Sequence, residues 1–154
     1  MADNKIVVLY VDDEENNLIS FKATFRIKYK VLTAISGDEA MDLLSKNKVE
    51  IIVTDQRMPN MTGVEFLERV LVKFPDTMRI LLTGYTDTAA VIDAINKGKI
   101  FHYLTKPWDE HELDMTIQRA HETFMEQERI KKMNETLSVS NDQLEFLLRQ
   151  KLLS

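Results

Sequence analysis

Apolar and polar residues follow two different periods along this chain. Five short, nearly continuous apolar runs, several of them rich in β-branched residues, lie at 6–11, 29–34, 51–54, 79–82 and 100–104. Runs that stay apolar at successive positions suit strands buried on both faces of a parallel sheet. Between them the spacing becomes helical, and the helix starts carry caps. Ser36 with Glu39, and Thr62 with Glu65, match the S/T-x-x-E capping box. Thr86 or Asp87 can cap a helix running to Lys97, after which Gly98 stands where a left-handed terminal residue is wanted. A first helix is expected over 15–28, with Leu18, Phe21, Ala23 and Phe25 near one side, and Asp109 caps a last one. Strand and helix thus alternate five times, which predicts right-handed βαβ crossovers and a doubly wound α/β fold. Ligands of such sheets sit beyond the carboxyl ends of the strands.

All four glycines and three prolines fall within the first 107 residues, and the 47 that follow contain neither. Ile130, Leu137 and Leu144 recur at sevens, with Met133, the polar Ser140 and Leu147 on the second seam. A continuous helix over 109–153 would extend about 65 Å at 1.5 Å per residue, more than one domain can cover. We expect its seam to form a dimeric coiled coil, the alternative being a single helix folded back on its own domain. Leu113, Ile117, Ala120 and Phe124 follow another phase, so the heptad slips between the two stretches. The expected division is a domain over 1–124 and a helical extension over 125–154.

A length of 154 residues is about one domain. Twenty Lys and Arg against 25 Asp and Glu leave a net charge of −5, which disfavours a broad grip on nucleic acid or on an anionic membrane surface. The absence of cysteine excludes disulfides, thiolate metal sites and a cysteine nucleophile. With no signal-like start and no membrane-length apolar run, a soluble cytoplasmic protein is expected. The chain stops within an uncapped helix, as expected either of a module working through protein contacts or of a segment from a longer parent.

The strand ends carry the chemistry. The first apolar run finishes in Asp12 and Asp13, the third in Asp55, the fourth in Thr83, and the fifth in Lys106 followed by Pro107. Singly, each has an ordinary role as a cap, a turn hydroxyl or a surface lysine. If the sheet forms, they converge on one crevice. Three gathered carboxylates repel one another and need a cation or a proton. Oxygen donors without His or Cys suit Mg²⁺. A hydroxyl and an ammonium opposite them complete a pocket for a transferred phosphoryl group, with one aspartate free to act as nucleophile.

The segments Val8-Leu9-Tyr10-Val11-Asp12-Asp13-Glu14, Ile52-Val53-Thr54-Asp55-Gln56-Arg57-Met58-Pro59, Leu81-Leu82-Thr83-Gly84 and Tyr103-Leu104-Thr105-Lys106-Pro107 resemble the receiver domain of two-component response regulators. The resemblance covers about residues 5–124 and implies a five-stranded parallel sheet in the order 2-1-3-4-5, the doubly wound order of the family's chemotaxis member. It further implies that Asp55 accepts phosphate from a phosphohistidine of a sensor histidine kinase or phosphotransfer protein. Asp12, Asp13, Asp55 and the backbone carbonyl of Arg57 would hold Mg²⁺, and Lys106 would pair with the phosphoryl oxygens. The Lys106–Pro107 bond would be cis. Thr83 would turn toward the phosphate and Tyr103 would follow it inward, reshaping the face of the fourth helix, fifth strand and fifth helix. Arg57 and Tyr85 would overhang the pocket and tune phosphate loss, with slow self-dephosphorylation expected.

The implied protein is a phosphoacceptor rather than a turnover enzyme, joined to its kinase and to a second copy through the C-terminal helix. Two other classes compete. One is a phosphorylation-independent coiled-coil scaffold. The other is an aspartyl-phosphate phosphohydrolase, disfavoured because Arg57 stands where such families place a second aspartate. His111-Glu112 and His121-Glu122 lack the second histidine of a zinc helix, since Met115 and Met125 stand there.

Overall fold

The computed structural model describes residues 4–84 and 88–153. Strands β1 (Val7–Val11), β2 (Lys30–Ala34), β3 (Ile51–Asp55), β4 (Met78–Thr83) and β5 (His102–Thr105) alternate with helices α1 (Glu15–Phe25), α2 (Gly37–Lys46), α3 (Gly63–Lys73), α4 (Thr88–Asn96) and α5 (Glu110–Leu153). The strands pair in parallel in the order β2-β1-β3-β4-β5.

The three central strands, β1, β3 and β4, are buried on both sides because each face has its own helices, while the edge strands β2 and β5 stay partly exposed. Val8 and Tyr10 of β1, Ile51 and Val53 of β3, and Ile80 and Leu82 of β4 pack with Phe21, Phe25, Leu113, Ile117 and Phe124 of α1 and α5. Leu9, Val11, Ile52 and Leu81 point the other way, to Ala40, Leu44, Phe66, Val70, Val91 and Ala94 of α2, α3 and α4. Period-2 side-chain geometry with apolar cover on both sides is what makes the runs continuous in sequence.

Local chemistry starts and stops the helices much as the pattern requires. The Ser36 hydroxyl accepts the Glu39 N–H at 3.1 Å, and Thr62 accepts the Glu65 N–H at 3.2 Å. Thr62 also donates its hydroxyl to Glu65 Oε1, 3.1 Å away, so its box closes through side chains. Asp109 accepts the Glu112 N–H at 3.0 Å. Gly98 adopts φ +71° behind α4, a conformation open to glycine at little cost. The caps expected of Thr86 and Asp87 fall outside the described residues.

Two expectations need correction. Helix α1 ends at Phe25 rather than at residue 28, because the chain turns there to bring the buried Tyr29 back against Phe25 and enter β2. No glycine or proline marks that turn. Ala23 faces solvent, since it lies 200° around the helix from Phe21 at 100° per residue. By contrast α5 runs unbroken for 44 residues, about 66 Å. Its buried positions end at Phe124, and beyond them Ile130, Leu137 and Leu144 are 48–58% exposed in the single chain. An ion pair of 3.3 Å between Lys131 and Asp76, in the turn before β4, reaches back from the exposed stretch.

Candidate functional site

Backbone hydrogen bonds carry the ladder one step past the strands and so place the reactive side chains. The Asp12 N–H donates to the Ala34 carbonyl, Gln56 N–H to Leu82 and Lys106 N–H to Thr83. Asp12, Asp55, Thr83 and Lys106 therefore leave four neighbouring strands at the same edge. Asp12, Asp13 and Asp55 each present a carboxylate oxygen, all within 4.8 Å of one another. Lys106 Nζ stands 2.7 Å from Asp55 Oδ1 and 4.0 Å from Asp12 Oδ2. The Lys106–Pro107 bond is cis.

Burial sets the electrostatics. Asp12 is fully buried and Asp55 is 5% exposed. Removal from water pushes the Asp55 carboxyl above its ordinary pKa; the Lys106 ammonium works against this, and the Asp12 charge adds to it. Lys106 thus lies within 4.0 Å of two of the three acids. The donor set is all oxygen, without His or Cys, and its excess negative charge fits a hard divalent cation. A further depression of about 380 Å³ beside it is lined by Asp13, Gln56, Arg57, Met58, Pro59 and Thr62.

The remaining expected residues take varied positions. Thr83 is buried at the end of β4, and its hydroxyl donates to the Gly84 carbonyl at 3.2 Å. Tyr103 points outward from β5, 37% exposed. Arg57 lies exposed on the β3–α3 loop. Tyr85, named as a pocket-tuning residue, lies outside the described residues.

Residues 8–118 match the family model described as the response regulator receiver domain. The chain belongs to that family. The receiver is 38% identical over its full 154 residues to the hydrogenase transcriptional regulatory protein HoxA of Cupriavidus necator (strain ATCC 17699), of which it covers 32%. The chain thus spans about a third of the length of this relative. Among solved structures, a response regulator receiver domain protein from Clostridium thermocellum has a TM-score of 0.73 at 30% identity, covering 77% of this chain and 95% of that one. A chain titled adenylate cyclase from Rhodopirellula baltica has a TM-score of 0.79 at 27% identity, covering 83% and 98%. The match to HoxA extends through the whole of α5, whereas the family model stops at residue 118.

Three groups around the receiver's acidic cluster escaped the strand-end reading. Tyr10 donates its hydroxyl to Asp12 Oδ2 at 2.8 Å, Asn17 donates its amide to the same oxygen at 3.1 Å, and the Glu14 N–H reaches Asp12 Oδ1 at 3.0 Å. Gln56 accepts the Val64 N–H at 2.8 Å and thereby ties the end of β3 to the start of α3. Tyr10 had a legible signal, since residues two apart on a strand share a face. Asn17 and Gln56 had none, because they act across a loop. Trp108 packs at 5.7 Å from the Phe25 ring and 6.1 Å from Phe21, which gives it a structural place beside the cis bond.

The receiver has no helix, among the described residues, long and apolar enough to cross a membrane.

Proposed function

We propose that Asp55 is the phosphoacceptor of a signalling receiver that takes its phosphoryl group from a sensor histidine kinase or phosphotransfer protein. The observation that carries this reading is the position of Lys106, 2.7 Å from Asp55, with the Asp12 and Asp13 carboxylates within 4.8 Å of the acceptor. A carboxylate oxygen of Asp55 bonds to phosphorus as the phosphorus–nitrogen bond of the donor phosphohistidine breaks. The electron pair stays on the leaving imidazole nitrogen, which takes up a proton, and Asp55 becomes an acyl phosphate. Lys106 pairs with the phosphoryl oxygens and offsets their charge. Asp12, Asp13, Asp55 and the Arg57 carbonyl would hold Mg²⁺, which when bound neutralises charge on the transferring group.

Phosphorylation adds roughly −1.5 to −2 charges and three acceptor oxygens at one point. Thr83 then exchanges its bond to the Gly84 carbonyl for one to the phosphoryl group, and Tyr103 moves into the space beside it. The surface of α4, β5 and α5 changes shape, and α5 carries the change into its exposed seam. That seam makes the receiver a homodimer or couples it to an output. The active segment is 1–124 and the extension 125–154. Any transcriptional output, as in the regulator named HoxA, would belong to a longer protein beyond these residues, and the −5 charge assigns the receiver itself no nucleic-acid contact. The reading places the protein in the cytoplasm.

Incubation with Mg²⁺ and acetyl phosphate, beside an Asp55→Asn control, tests this. One acid-labile phosphate per chain, absent from the control, is expected. Multiple turnover of phosphoesters would instead indicate a phosphohydrolase, and no response to acetyl phosphate or beryllofluoride would indicate a scaffold.

A further inference from the structure

Asp12 is a buried anion whose two oxygens are both held by this chain's own donors. Oδ1 accepts the Glu14 N–H, and Oδ2 accepts both the Tyr10 hydroxyl and the Asn17 amide, while the Lys106 ammonium stays 4.0 Å away. The side chain is 0% exposed, so water cannot replace a lost donor cheaply. Of these donors, Tyr10 is the most firmly placed. Its ring stacks on Phe21 at 4.1 Å with an interplanar angle of 2°, and the residue is 1% exposed. Facing a carboxylate oxygen at 2.8 Å, the hydroxyl serves Asp12 as a donor.

We propose that Tyr10 is a positioning residue for the divalent cation site: its hydroxyl, anchored by the stacked Phe21 ring, fixes the orientation in which Asp12 joins Asp13 and Asp55 around the ion. The proposal rests on the reading of that cluster as a cation site. Outer-shell partners that orient a metal-binding carboxylate are typically worth 10–100-fold in metal affinity. The single donor on a neutral phenol belongs at the lower end of that range. The ring and the hydroxyl have separable jobs, the first packing the α1 and α5 side of the sheet and the second aiming Asp12.

The full chain is titrated with Mn²⁺, free ion being followed by electron paramagnetic resonance, and Mg²⁺ is then added as competitor. Wild-type protein is expected to bind one competable ion, and Asp13→Asn to lose it. Tyr10→Phe keeps the ring and is expected to bind the ion about tenfold more weakly while its thermal midpoint in EDTA stays near that of the wild type. Phe21→Leu removes the stack but keeps the hydroxyl, and is expected to lower the thermal midpoint with a much smaller change in ion affinity. Unchanged or tighter binding by Tyr10→Phe overturns the proposal alone. So does a loss of affinity that tracks loss of stability equally in both variants. A wild-type chain that binds no competable ion overturns the cation site and the proposal together.

Discussion

Gly63, the first residue of α3, leaves no room for a side chain above the carbonyl oxygen of Asp55. A Cβ there would collide with that oxygen, and would stand 2.7 Å from Leu81 Cδ1 and 3.0 Å from the Gln56 Cα. The Gly63 N–H meanwhile donates to the Gln56 carbonyl at 2.9 Å. The β3–α3 loop thus folds directly onto the acceptor strand.

Gly63→Ala is therefore expected to destabilise the receiver by about 1–3 kcal/mol, the usual cost of overpacking against atoms that cannot move aside. Gly37→Ala is the control. Its Cβ would meet Met61 Sδ at 2.5 Å, the far end of a flexible side chain, so the loss should be smaller. Urea midpoints of the two variants at equal m-value decide the order.

Lys106→Met removes the ammonium that faces Asp55 and Asp12. Two consequences are expected. Acyl phosphate formation from acetyl phosphate should drop by at least tenfold. The ion-free protein should also lose about 1–2 kcal/mol at neutral pH, less than for a fully buried pair because the lysine side chain is 32% exposed. Adding Asp55→Asn should return most of that stability, which chemical denaturation of the double variant measures.

Asp114 on α5 is held by Lys28 at 2.7 Å and by the Tyr29 hydroxyl, which also accepts from Gln118. Burial raises the Asp114 carboxyl, but these donors outweigh it and leave it below its ordinary value of 3.8. A carboxyl depressed by folding adds stability above its unfolded pKa and loses it as pH falls through the folded one. The advantage of wild type over Asp114→Asn should thus be full near pH 6 and gone well below pH 3.8, with a size of about 1 kcal/mol for so exposed a pair. Paired denaturation curves across that range check it.

The α5 seam offers a separate test. Leu137, 58% exposed, occupies the centre of the heptads. If two copies pair through it, Leu137→Lys buries an unpaired ammonium against its partner's and should shift the full chain from dimer to monomer in sedimentation. The receiver fold, read by far-ultraviolet circular dichroism, should be unchanged in its sheet contribution.

Much of this protein was legible before folding was considered. β-Branched apolar runs, the Ser36, Thr62 and Asp109 caps and the proline-free tail determine five strands, the helices between them and one long α5, because those signals act within a few residues of themselves. The acidic and basic residues at the run ends determine which side chains can do chemistry. Where α1 stops was not legible, since Phe25 and Tyr29 settle it by packing rather than by a breaker residue. Nor was the partnership of Asp12 with Asn17, or of Gln56 with Val64, which depends on where loops cross. The tertiary structure alone decided that Lys106 faces Asp55 at bonding distance and that the Phe21 ring stacks on Tyr10 behind Asp12. Parallel pairing aligns the ends of chain segments 22 to 43 residues apart, and only that alignment turns four scattered polar residues into one charged pocket.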